Sequence, residues 1–202
     1  EKPIDELKKN LSEIFREPLI KEINREYKQT YINGCMDFNT KYKSKLKVSC
    51  FSEVNASLLM WGHYADNHQG FCVEYDLGSL DKTNNLKKYL FPIEYVDSMI
   101  DMTEYYLDNV LNRKNINKEK LIESVLYKMK EWSYEKEWRI VISENEYNIF
   151  NFDTPTPKAI YLGCNIKNTD KYKIISIANN IKIPVFQMQP DYKKYFLNVN
   201  TL

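Results

Sequence analysis

"WSYEKEWRIVIS", residues 132–143, sets the frame for the rest of the chain. Its second half alternates with period two, as an extended strand with one buried face does. Trp138, Ile140 and Ile142 fall on one face. Glu135, Glu137 and Arg139 fall on the other, so a continuous strand stands the three charges in a row. Trp132, Tyr134 and Trp138 frame that row, which implies partial burial. Two carboxylates in a partly dry cleft repel each other. One pKa is then expected to rise while the neighbouring Arg holds the other carboxylate ionised. Such a group suits acid/base work or the holding of a sugar hydroxyl. The competing reading is a solvated strand face carrying ion pairs worth about 0–1 kcal/mol each.

Around this stretch lie other strand-like segments: "LKVSCFS" (46–52), "FCVEYD" (71–76), "LKKYLFPIEYV" (86–96, with Pro92 at an edge or bulge) and "KAIYLG" (158–163), followed by "IPVFQMQ" and "KYFLNV". Residues 3–31 read as helix, with stripes Leu7–Leu11–Ile14–Phe15 and Leu19–Ile20–Ile23–Tyr27 divided at Pro18 and stopped at "NGC" (33–35). Asn55 is placed to cap a short helix. Residues 102–130 read as two helical pieces, the second with the stripe Leu121–Val125–Met129, and 168–180 as a helix. The order is neither a regular βαβ alternation nor a repeat. The expectation is an α+β fold with a mainly antiparallel or mixed sheet and N-terminal helices. Residues 1–202 are taken as one domain, with 1–34 as a helical segment and 46–202 as the α+β core.

With 202 residues, 43% of them hydrophobic, the chain can bury a sizeable core. A net charge of +1 does not point to a duplex-binding or membrane-surface protein. No apolar run approaches the roughly 20 residues that span a bilayer, so no membrane partner is expected. Only 5 glycines are present, and neither GxGxxG nor GxxxxGK occurs. Cys35, Cys50, Cys72 and Cys164 form no CxxC pair, and a reduced, cytoplasmic setting fits them.

The segment "CFSEVNASLLMWGHYADNHQGFCVEYD" (50–76) holds both histidines, His63 and His68, together with Ser52, Glu53, Trp61, Tyr64 and Asp66. The five-residue His63–His68 spacing turns the two rings apart on a helix, so no metal site is expected. A polar, aromatic connection between two strands is a frequent place for a ligand pocket. A nuclease reading would ask Glu53, Asp66, Glu135 and Glu137 to gather around a metal ion.

"CFSE", "LLMWGHYADNHQGFCVEYD", "WSYEKEWRIVIS" and "AIYLG" together resemble a large family of bacterial cytoplasmic proteins known as a domain of unknown function. The resemblance covers about residues 46–165. Members usually begin with an aromatic-basic strand and an NDP-like turn, and this chain shows neither. A second resemblance is to ADP-ribosyltransferases of the Arg-Ser-Glu type. "SCFSE" looks like their aromatic-Ser motif and Glu135-Lys136-Glu137 like their E-x-E, while the basic residue of a first strand is missing.

That resemblance implies Glu137 as the catalytic carboxylate and Glu135 orienting a protein or nucleic-acid acceptor, while the charged row itself gives Arg139 the part of keeping a carboxylate ionised. It also implies Ser52 and Tyr64 around NAD as substrate, with Tyr64 stacking on nicotinamide, and His63 and Trp61 of the same segment are expected to bind beside them. The expected function is an NAD-consuming transferase or hydrolase, a toxin or antiphage effector. The alternative is a non-enzymatic nucleotide-sensing or protein-interaction domain of a defence system, assembling as an oligomer through its N-terminal helices.

Overall fold

The computed structural model describes residues 2–103, 105, 118–149 and 155–202. The chain divides into two compact units, one made of Glu1–Lys45 with Asp101–Leu121 and the other of Leu46–Ile100 with Ile122–Leu202.

The first unit is dominated by α1 (Lys2–Lys43), a single helix of 42 residues. The expected break at Pro18 does not occur. Proline removes one backbone donor, and the long helix keeps its ladder on both sides of the gap. The expected stop at 33–35 is absent too. Gly34 does not take a left-handed φ, and the amide of Gln29 donates to Asn33 Oδ1 at 3.0 Å, so Asn33 bonds along the helix instead of ending it. Leu19, Ile20, Ile23 and Tyr27, the expected second stripe, are exposed. The first stripe, Leu7 to Phe15, lies outside the residues whose burial is described.

The second unit is α+β, with antiparallel and mixed sheets. One sheet has the order β1–β6–β3, formed by β1 (Leu46–Ser52), β6 (Glu137–Ser143) and β3 (Leu90–Pro92), all antiparallel. The expected 86–96 strand is split. Asn84 caps a short helix at Asn85–Lys88, and a break at Ile93 separates β3 from β4 (Glu94–Val96). Ile93 is nevertheless held, its N–H donating to Glu137 O at 3.0 Å. β4 pairs in parallel with β5 (Tyr127–Met129). That pairing overturns the Leu121–Val125–Met129 helical stripe: helix stops at Glu123, and Met129 is in a strand. The earlier helical expectation over 104 and 106–117 lies outside the described residues.

The other large sheet runs β2–β7–β8–β9, from β2 (Phe71–Glu74), β7 (Ala159–Leu162), β8 (Val185–Pro190) and β9 (Leu197–Thr201). β7 is buried on both faces, which explains its unbroken apolar run. Ala159 and Tyr161 join Met188, Leu197 and Trp61 in one core. Ile160 and Leu162 join Ile183 and Ala178 of the helix Asn168–Asn180 in another. A third core sets Ile140 and Ile142 against Leu86. In β6 the alternation therefore does what its sequence implies: the isoleucines go to the core and the charges to the opposite face.

Between β1 and β2 lies α2 (Leu58–Tyr64). Its cap is Ser57, whose hydroxyl accepts from Met60 N, and not Asn55, whose carbonyl instead accepts the Trp61 indole N–H at 2.6 Å. After α2, Asp66, Asn67 and His68 all have positive φ (46°, 51° and 66°), three successive residues in the left-handed region. The turn is clasped by the end of β7. Gly163 N donates to Gly70 O, and Asn165 N to His68 O, both at 2.9 Å. A Cβ on Gly163 would stand 2.1 Å from the His68 carbonyl oxygen, so the clasp has room for glycine alone.

Candidate functional site

The charged row of 132–143 is built differently from a strand. Lys130–Glu135 forms a 3-10 helix, and Lys136 follows at φ 44°, ψ 54° in the left-handed region. The strand starts only at Glu137, which corrects the expectation that Glu135, Glu137 and Arg139 share one extended face. The reversal at Lys136 still leaves both glutamates buried, Glu135 3% exposed and Glu137 6%.

Their carboxylates are gathered by Lys128 from the middle of β5. Its ammonium donates to Glu135 Oε2 and, at 2.9 Å, to Glu137 Oε2. Arg139 grips Glu137 with a fork, Nε to Oε1 at 2.7 Å and a terminal nitrogen to Oε2 at 3.1 Å. Its other terminal nitrogen donates to the carbonyl of Val125. Burial alone would raise the Glu137 pKa. The hydrogen bonds from Arg139, Lys128 and the Cys50 thiol outweigh burial and hold it at about 2. Burial likewise disfavours the Lys128 ammonium, and the two carboxylates overcome this and raise its pKa. The Cys50 thiol is pushed up by burial and by the Glu137 carboxylate.

Backbone contacts fix the pair. Glu137 N donates to the Tyr95 hydroxyl at 2.8 Å. Ser52 and Glu137 are register partners at the end of the β1–β6 ladder. The Ser52 hydroxyl donates to the Glu135 carbonyl oxygen at 2.6 Å and accepts from Val54 N at 3.0 Å. Ser52 thus secures the 3-10 turn and not a glutamate side chain.

Aromatic groups form the rim. Tyr64 donates to Glu135 Oε1 at 2.7 Å, and burial together with that carboxylate raises the phenol pKa. The Lys128 ammonium lies 5.1 Å over the Trp132 ring, within cation–π range. His63 leans on the same indole, ring centroids 5.7 Å apart, and Tyr134 flanks it at 6.0 Å. A cleft of about 170 Å³ opens beside Tyr64, lined by Met60, Trp61, Phe71 and Cys72 among others. It has room for about one aromatic ring. A larger apolar groove of about 490 Å³ lies on the opposite, isoleucine face of β6 and has no part in the charged cluster.

The structure therefore gathers Glu135, Glu137, Arg139 and Tyr64. Ser52 sits at the backbone of the cluster, His63 at its rim, and Trp61 in the cleft wall with its indole N–H already bonded. Sequence reading missed Lys128, Tyr95 and the side of β1 on which Cys50 meets Glu137. The available signal for Lys128 was "YKM", a lysine between two large apolar residues nine positions before Glu137.

The nuclease grouping is not assembled. Glu53 turns away to accept the Trp138 indole N–H at 2.7 Å, and among the described residues no three His, Cys, Asp or Glu side chains come together as a metal site. Among the described residues, no helix is long and apolar enough to cross a membrane.

Residues 60–140 match a family described as "Protein of unknown function (DUF2971)". The match takes in Tyr64, Lys128, both glutamates and Arg139, and Cys50 and Ser52 lie before it. No curated protein and no solved structure matches the chain.

Proposed function

We propose that this chain consumes NAD, as an ADP-ribosyltransferase-like enzyme or NAD hydrolase, with Glu137 as the working carboxylate. The observation that carries the reading is a buried Glu137 held ionised at about 2 and in register with Ser52, in a cluster whose Tyr64 borders a small cleft. Cleaving the nicotinamide–ribose bond develops positive charge on the ribose, much as glycoside hydrolysis does. A fixed carboxylate beside that carbon stabilises charge that exists only in the transition state. Tyr64, at the edge of the cleft, offers its ring to the departing nicotinamide, and Glu135, tied to Tyr64, orients an acceptor in this reading. A role as a toxin or antiphage effector belongs to the same reading.

The test is nicotinamide release from NAD, with and without a protein acceptor. Glu137→Gln keeps shape and removes charge, and turnover should fall about 10²- to 10⁴-fold. Lys136 carries the control. Because it sits at positive φ, Lys136→Gly preserves the backbone where Ala would strain it, and activity should persist. Wild-type protein that neither releases nicotinamide nor binds NAD by calorimetry overturns the reading.

One observation favours a second reading, a non-enzymatic nucleotide-sensing or interaction domain. Glu137 already accepts from Arg139, Lys128 and Cys50, which is what a purely architectural ion network does.

A further inference from the structure

Two buried carboxylates cannot lie side by side unless something neutralises them, and the desolvation of each acts against its charge. Arg139 serves Glu137 alone. Lys128 forms an ion pair with both glutamates. Its side chain is 18% exposed, and β4 on one side of β5 and the 3-10 helix after it hold the strand that carries it.

We propose that Lys128 is a positioning residue whose ammonium clamps the Glu135 and Glu137 carboxylates side by side across the left-handed reversal at Lys136. The 3-10 helix and β6 meet at that reversal, and their backbones alone do not fix how far the two side chains stand apart. The ammonium, donating to one oxygen of each, sets that separation. It leaves Tyr64 on the other oxygen of Glu135 and the Arg139 fork on Glu137.

The charged and titratable groups around Glu137 are the Cys50 thiol from β1, the Tyr64 phenol from α2, the Tyr95 hydroxyl from β4, Lys128 from β5, Glu135 from the 3-10 helix and Arg139 from β6. Of these, Lys128 alone ties Glu137 to Glu135. Removing it leaves the two carboxylates facing each other with Arg139, on Glu137, as the remaining cation, and Glu137 takes up a proton at higher pH.

This inference rests on the NAD-consuming reading only for its effect on turnover. The experiment has two arms. The first follows the Glu137 carboxyl by ¹³C NMR through an acid titration, assigned with Glu137→Gln, in wild type, Lys128→Met and Lys128→Arg. Lys128→Met should raise the Glu137 midpoint by about one unit or more, and Lys128→Arg should keep it close to wild type. The second arm is the pH profile of nicotinamide release, whose acid limb should move upward in step with the midpoint in Lys128→Met and return in Lys128→Arg.

An unchanged midpoint in Lys128→Met overturns the clamp. So does an acid limb that stays in place while the midpoint moves. If wild type releases no nicotinamide, the NAD reading falls and the midpoint alone decides on Lys128. If Lys128→Met does not fold, ¹⁵N NMR of the lysine ammonium groups in wild type decides. The Lys128 ammonium should stay protonated and exchange-protected where the exposed lysines have lost their proton, and a Lys128 that titrates with them overturns the proposal.

Discussion

Tyr64 and Glu135, 71 residues apart in sequence, are joined by a 2.7 Å hydrogen bond from phenol to carboxylate. The bond ties the last residue of α2 to the last residue of the 3-10 helix. It unites the two segments that carry most of the polar groups in this part of the chain.

Tyr64→Phe removes that bond and keeps the ring. Tyr64 is 62% exposed, so its loss should cost no more than an ordinary hydrogen bond, about 0.5–1.5 kcal/mol, read as a lower urea midpoint at unchanged slope. A stability change of several kcal/mol would mean that Tyr64 packs far more tightly than its exposure implies.

Glu137 makes stability depend on acid in a defined direction. Its folded pKa of about 2 lies below the ordinary 4.5, so the folded state prefers the ionised form. The extra stability is fully present above about pH 4.5 and is lost as pH falls toward about 2. Glu137→Gln cannot titrate. Urea midpoints of wild type and Glu137→Gln should therefore differ most near neutral pH and converge below pH 4.5. A constant gap across that window would refute the assignment.

Ser52→Ala leaves the Glu135 carbonyl and the Val54 N–H without their hydroxyl partner. Unmet polar groups at a partly buried position cost about 1–3 kcal/mol. Any loss of turnover should follow the 3-10 turn, so hydrogen exchange at residues 130–137 should rise together with it. Lost turnover with exchange unchanged would instead assign Ser52 to direct substrate contact.

Much of this architecture is legible in the sequence. The period-two pattern of Ile140 and Ile142, the apolar run of β7 and the helix at 168–180 are found where local pattern places them, because each is strongly periodic or bounded by Gly or Pro. Glu135 lies off the strand because Lys136 turns left-handed, and a lysine at positive φ leaves no compositional mark. Lys128 was passed over because Leu121, Val125 and Met129 happen to keep a four-residue spacing across a turn. Asn33-Gly34 and Pro18 read as punctuation locally, and α1 runs through both. The pairing of Tyr64 with Glu135 joins segments far apart in sequence and has no local signal at all.

Gly163→Ala should be costly for a reason unrelated to the charges. A methyl there meets the His68 carbonyl at 2.1 Å, and either the left-handed turn or the end of β7 must shift. Overpacking of this kind costs about 1–3 kcal/mol, seen as a lower Tm. A variant with wild-type Tm would mean that the turn gives way freely.

The same clasp has a consequence for how the two sheets are joined. The left-handed turn begins two residues after Tyr64, and β7 grips it by backbone bonds that allow little slack. The segment that follows Tyr64 is therefore tied, backbone to backbone, to the sheet β2–β7–β8–β9, while Glu137 belongs to the sheet β1–β6–β3. The phenol that touches Glu135 thus stands where the two sheets are joined through α2 and its turn.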